Sequence, residues 1–178
     1  ETMTTDTLDR RQGSTLLTDR DPMNRPFRTA GSLWDPAPES SVTMVTKTYA
    51  VANGALSLTG ILPPWFDAVV RRGAALLELP SNWDGYGALQ IDPTLLIEGL
   101  RILLGTLPSD APLPAVVPTT RGGVQFEWHC GGVDLEVEVV SQGTIAVSFD
   151  DGTIEETHEL GFNLSPLVVL FKRLPLDC

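Results

Sequence analysis

Lysine and arginine are missing from the whole stretch between Arg121 and Lys172. Nine acidic residues lie there instead: Glu127, Asp134, Glu136, Glu138, Asp150, Asp151, Glu155, Glu156 and Glu159. The net charge of the 178-residue chain is −11, so this segment holds most of the excess. A surface of that sign repels nucleic acid and anionic membranes, whose binding needs clustered cations. Cysteine is equally scarce. Two residues, Cys130 and Cys178, do not make a disulfide framework, and a reducing cytoplasm is the expected setting. No apolar run reaches the ~20 residues of a membrane-spanning helix. The first residues lack the basic-then-apolar order of a secretory signal, and a start at Glu1 leaves the natural start open. Repeats and low-complexity tracts are absent. So are cofactor motifs: the glycine pairs at 122–123 and 131–132 open no helix and match no phosphate cradle. No cofactor is expected.

What is present is a strict alternation. Val124, Phe126, Trp128 and Cys130 share one parity, and Gln125, Glu127 and His129 the other. After Gly131-Gly132 the pattern resumes, with Val133, Leu135, Val137 and Val139 against Asp134, Glu136 and Glu138. Period two with one apolar parity predicts half-buried antiparallel strands. A Gly-Gly pair accepts the positive φ angles of a tight turn, which sets Cys130 against Val133, His129 against Asp134, Trp128 against Leu135 and Glu127 against Glu136. Ser141-Gln142-Gly143 predicts a three-residue loop into a third strand, where Ile145, Val147 and Phe149 extend the apolar side. Asp151-Gly152 leads to a fourth, edge strand over 154–160.

Before the sheet, Pro63-Pro64 opens a helix with the stripe Phe66, Val69, Val70, Gly73, Leu76 and Leu77, stopped by Pro80. Asp92 caps a second helix whose stripe is Leu96, Leu100, Leu103, Leu104 and Leu107, ended by Pro108. Pro112, Pro114 and Pro118 mark an extended connection, suited to a sheet edge. Residues 42–51 are β-prone and add a strand. Leu167 to Leu174 is a short helix, with a strand as its rival, and Lys172 and Arg173 suit a helix C-terminus. Residues 1–45 have few aliphatics, no period and four X-Pro steps; they form an extended arm, with Phe27, Leu33 and Trp34 as anchors on the domain or on a partner. The fold class is α+β: an antiparallel meander of three to five strands with two or three helices on one face, plus the arm at 1–45 and one domain at 46–178.

The loop Asn82-Trp83-Asp84-Gly85-Tyr86-Gly87-Ala88 joins the helices. Its aromatics serve either as recognition side chains or as plugs between helix ends and sheet, with Asp84 bonding backbone amides. Together with Pro118-Thr119-Thr120, Gly122 to Trp128 and Leu135 to Glu138, this loop resembles a group of small bacterial proteins; the likeness covers about residues 62–150. That group brings no assigned activity, so no functional residue is carried over.

Opposed Glu127 and Glu136, with Glu138 diagonal and His129 paired to Asp134, read either as a solvated face or as a carboxylate cluster for acid/base or metal chemistry. Zinc through His129 and Cys130 is excluded, because adjacent strand residues point to opposite faces. Cys130 reads as a small buried hydrophobe, and acidic neighbours oppose its thiolate. The expected function is therefore non-enzymatic: an accessory subunit, inhibitor or antitoxin-like protein that binds a partner with a basic surface. Its partner-binding residues are Phe27, Trp34, Trp83, Asp84, Tyr86, Glu127, His129, Asp134, Glu136 and Glu138. No metal site is expected. The alternatives are a small metal-dependent or acid/base hydrolase and a homo-oligomeric structural protein.

Overall fold

The computed structural model describes residues 44–51 and 54–176. Most of the expected arm, with Phe27 and Trp34, lies outside the described residues. In chain order the elements are β1 (Val45–Val51), β2 (Gly54–Gly60), α1 (Phe66–Leu76), α2 (Pro93–Thr106), β3 (Ala115–Pro118), β4 (Val124–Cys130), β5 (Val133–Ser141), β6 (Thr144–Asp150), β7 (Glu155–Leu160) and α3 (Ser165–Phe171). Strands β3 to β7 form one antiparallel sheet whose spatial order follows the chain. The α+β meander holds as expected. No helix among the described residues is long and apolar enough to cross a membrane.

Gly131 and Gly132 both take positive φ, 59° and 78°, which closes the β4–β5 turn without strain. The register follows: Cys130 faces Val133, Trp128 faces Leu135, and Phe126 faces Val137. Across the next pair Leu135 meets Phe149, Val137 meets Val147 and Val139 meets Ile145. Those side chains, apart from Cys130, are all buried. One detail differs from expectation. Ser141 pairs with Thr144, so the turn has two residues, Gln142 and Gly143, and the register shift lies between Val139 and Ser141. Gly143 takes the left-handed position at φ 76°.

The helices cover the apolar side. Phe66, Val69 and Val70 of α1, Leu96, Leu100 and Leu103 of α2, and Leu167, Leu170 and Phe171 of α3 are buried in one core with the sheet. Each such side chain contributes ~1.5–3 kcal/mol through removal from water. Asp92 caps α2 by accepting from Thr94 N at 2.8 Å, with Pro93 following as expected. In α1 the two prolines precede the helix by a turn, and Trp65 occupies the cap position. The proline-rich connection before β3 has few N–H groups to satisfy but offers carbonyls. Pro108 O accepts from Trp65 Nε1 at 3.0 Å, Pro112 O from Trp128 Nε1 at 2.9 Å, and Pro114 O from Arg72 Nη1 at 2.7 Å. Buried indoles need an acceptor, and this segment supplies two.

The strand expected in the β-prone stretch is present as β1, which pairs with β2 in a two-stranded hairpin apart from the meander. In β2, Leu56 and Leu58 alternate with exposed Ser57 and Thr59, a short strand signal that the sequence reading passed over. Cys130 is half-buried and disulfide-bonded, not a packed thiol. A disulfide persists where thiols are oxidised, which removes the ground for a reducing cytoplasm.

Gly99 and Gly105 of α2 should respond oppositely to substitution. A Cβ at Gly99 would lie 2.6 Å from Cε2 of buried Phe126, whereas nothing lies within 4 Å of one at Gly105. Urea melts should show Gly105→Ala more stable by about 1 kcal/mol, the helix-propensity gain. Gly99→Val should lose about 1–3 kcal/mol to overpacking, which exceeds its small propensity gain. Separately, peptide mapping of chain unfolded without reductant should show Cys130 unlabelled by maleimide, and labelled once reductant is added.

Candidate functional site

The polar parity of the sheet forms a continuous outward face. Glu127 stands opposite Glu136, His129 opposite Asp134, and Gln125 opposite Glu138. Further across, Ser148 follows Glu136, Ala146 follows Glu138, and Glu155, Thr157 and Glu159 of β7 complete the rows. Small side chains in the middle leave a shallow depression of about 180 Å³, lined by Gln125, Glu136, Glu138, Ala146, Ser148 and Thr157 among others. Directly opposed carboxylates on a sheet cost up to ~1 kcal/mol. Neighbours reduce that cost here. Gln125 Nε2 donates to Glu127 Oε1 at 2.8 Å. Arg121 Nη2 holds both oxygens of Glu138, at 2.8 and 2.7 Å. Arg121 was not among the expected site residues, although its place just before the Gly122-Gly123 turn sets it at the corner of this face.

His129 is fixed between two acids. Its Nδ1 lies 2.8 Å from Asp134 Oδ1, and its Nε2 lies 3.3 Å from Glu127 Oε2. The hydrogen bond to Asp134, helped by Glu127, raises its pKa above the ordinary 6.5 against a smaller opposing effect of burial. Glu127, His129 and Glu136 each bring a ligand atom within 4.8 Å of the others. Two carboxylates and an imidazole suit a divalent cation, and a carboxylate on the far ring nitrogen orients a ligating histidine in the usual way. The signal for this group was the register itself, since it joins a cross-strand pair to a residue two positions along.

The 82–88 loop is rigidly built. Asp84 Oδ1 accepts from Tyr86 N at 2.8 Å and Ala88 N at 3.0 Å, which lowers its pKa below the ordinary carboxylate value. Asn82 Oδ1 accepts from Gly87 N at 2.6 Å, and Asn82, Gly85 and Gly87 all take positive φ. Trp83 is half-buried and donates to Leu89 O at 3.3 Å, as a plug should. Tyr86 does not plug anything. Its side chain is 95% exposed, because the turn directs it away from the body of the domain. The loop abuts the sheet corner: Leu89 N donates to Thr120 O and Asp92 N to Gly122 O, on either side of Arg121. Leu89, Arg121 and Glu138 thus belong to one neighbourhood.

The structure also assembles a group that sequence reasoning missed. Arg173 pairs with Asp151, lies 3.9 Å from Glu156 Oε1, and stacks 4.3 Å over the Phe149 ring. His158 Nε2 meets Glu156 Oε2 at 2.8 Å. Arg173 therefore ties the end of α3 to β7 instead of complementing the helix terminus. Phe27 and Trp34 lie outside the described residues. No protein-family model, curated protein or solved structure matches the chain.

His129 gives a pH test. A raised folded-state pKa means that its stabilising contribution is complete below about pH 6.5 and is lost as pH rises through the raised value. The stability gap between wild type and His129→Gln should therefore be widest in mild acid and shrink as pH rises through the raised value. Proton NMR titration should give a His129 midpoint above 6.5; a midpoint at or below that value would contradict the pairing with Asp134.

Proposed function

We propose that the chain is a non-enzymatic protein-binding module, an accessory subunit, inhibitor or antitoxin-like neutraliser, that engages the basic surface of another protein. The carrying observation is the outward face of β4 to β7. It presents Glu127, Asp134, Glu136, Glu138, Glu155 and Glu159 together, with Arg121 as the Lys or Arg that reaches it among the described residues. Such a field accelerates encounter with a cationic patch and selects against anionic partners. Tyr86, held out by the Asp84 turn, supplies the aromatic anchor that a charged face lacks. Trp83 supports that loop from beneath. Phe27 and Trp34 are proposed as further aromatic anchors for the partner. The proposed setting is oxidising, where the disulfide at Cys130 persists.

A second reading rests on the grouping of Glu127, His129 and Glu136: a metal-dependent or acid/base hydrolase centred on these three side chains. A divalent ion there would polarise a carbonyl or activate a water, while Asp134 keeps Nε2 of His129 directed at it. Titration calorimetry with zinc or manganese should then show one equivalent bound, lost in Glu136→Gln. Heat no greater than that of the Glu136→Gln variant would remove this reading.

For the binding reading, affinity capture on the immobilised domain should retain a basic protein whose dissociation constant weakens steeply with salt. Glu136→Lys/Glu138→Lys should abolish that capture. Glu78→Lys/Asp110→Lys, an equal charge change at exposed positions outside the sheet face, should leave it intact. Equal loss with both pairs would mean that net charge, not this face, governs association.

A further inference from the structure

Away from the acidic face, β1 and α1 flank an open cleft of about 470 Å³ lined by Lys47, Thr48, Tyr49, Asp67 and Arg71. Period two sets Lys47 and Tyr49 on one side of β1, and a spacing of four sets Asp67 and Arg71 on one side of α1. Lys47 Nζ donates to Asp67 Oδ2 at 2.5 Å, and the Tyr49 hydroxyl donates to Asp67 Oδ1. Both oxygens of the one carboxylate in the cleft are thus engaged from within. Tyr49 itself packs edge-on against Phe66, with ring centroids 5.8 Å apart, which anchors the hairpin to the core.

Arg71 is placed differently. Only its Nε is used, donating to the backbone carbonyl of Asp67 at 3.2 Å; among the described residues its two terminal nitrogens make no bond. An ammonium has three donors, and Lys47 commits one to Asp67. Two cations against one carboxylate leave this cleft positive, in a chain whose net charge is −11. Burial, and then the hydrogen bond to Asp67, push the Tyr49 pKa up to about 12, so the phenol remains a donor at neutral pH. The same two partners, Lys47 first, hold Asp67 below the ordinary carboxylate range, so it stays ionised and keeps Lys47 in place.

We propose that this cleft is a binding site for a small carboxylate, held by the terminal nitrogens of Arg71 and the remaining N–H groups of Lys47. The planar fork of arginine matches two carboxylate oxygens, and the ammonium adds a second, less directional donor. A cation site would present open carboxylate oxygens; here those oxygens are closed and the donors are open. The carboxylate comes either as a free acid or on an acidic side chain of a polypeptide. The site is independent of the acidic face, so the two stand or fall separately.

Sodium acetate, titrated into the ¹⁵N-labelled chain against sodium chloride of equal ionic strength, is the direct test. Acetate should shift the Arg71 Nε–H resonance and the backbone amides of β1 and α1 around the cleft saturably, while chloride should not, and those amides report on the variants. Arg71→Gln, a change at an exposed helical position, should weaken acetate binding by about tenfold or more, as loss of a charged fork does. Arg101→Gln, on a different helix, should leave it unchanged. Asp67→Asn should tighten it by removing the competing negative charge, the opposite of what a cation site would show. A short blocked peptide carrying one Asp that binds more tightly than acetate would assign the carboxylate to a polypeptide. Equal binding would assign it to a free acid. Responses to acetate and chloride that are indistinguishable, or an acetate response that survives Arg71→Gln, would overturn the proposal.

Discussion

One register, with Trp128 opposite Leu135, decides which side chains of this domain meet water. Strand residues alternate faces, so a slip of a single position would exchange the two parities of β4 and β5 entirely. Glu127, Glu136 and Glu138 would then enter the core, and each unpaired buried carboxylate would cost several kcal/mol. Phe126, Leu135 and Val137 would enter solvent at ~1.5–3 kcal/mol apiece. The Gly131-Gly132 turn and the hydrophobic effect therefore enforce the same pairing. That agreement also has a consequence for the outer face. The carboxylates cannot disperse, because the pairing that buries the apolar parity sets Glu127 and Glu136 directly opposite each other.

The inner face faces a different problem: two indoles and a tight helix must fit without leaving polar atoms unpaired. Among the described residues no buried side-chain nitrogen or oxygen lacks a partner. Trp65 and Trp128 meet this requirement through the carbonyls of Pro108 and Pro112. A proline-rich connection suits that role, since it has acceptors to give and few N–H groups of its own to hide. Close approach of α2 to the sheet then requires Gly99, where any side chain would strike Phe126 and Val139. Arg173 closes the far margin, stacked on Phe149 and paired with Asp151.

The meander and its cross-strand pairs were legible because period, turn chemistry and charge all pointed the same way between Gly122 and Asp150. Asp92-Pro93 gave the start of α2 for the same reason: cap chemistry is local. β1 was legible as a β-prone stretch, but its partner β2 was missed because its half-buried pattern is only a few residues long and the turn lacks a strong signal. Burial of Leu56 and Leu58 is settled by tertiary packing, not by local preference. Tyr86 was only half legible. The sequence shows that an Asn/Asp/Gly turn forms, but not which way the turn aims its aromatic. Arg121 and Arg173 eluded the reading for a further reason. Long side chains choose partners across the fold, Glu138 and Asp151 respectively, that sequence separation does not reveal. The disulfide state of Cys130 is likewise not contained in a cysteine count.

Repulsion on the outer face is only partly relieved from within. Arg121 serves Glu138, and His129 serves Glu127 and Asp134, but Glu136 has no hydrogen bond among the described residues. Added positive charge is therefore favourable there whether it arrives as a side chain or as an ion. Geometry separates the two. An ion draws on three atoms near one cross-strand pair, and gains nothing from Glu155 or Glu159 on the distant edge strand. A protein surface spans all four strands, and needs an uncharged anchor to convert steering into residence, because exposed ion pairs alone contribute only ~0–1 kcal/mol each. Tyr86 projects into solvent from a loop whose hydrogen bonds pre-set its backbone, and Leu89 of the same segment joins the strand-end turn that carries Arg121. An exposed aromatic on such a loop has no use in binding an ion. Under the proposed docking reading, a partner would supply both the positive charge and the contact for that ring.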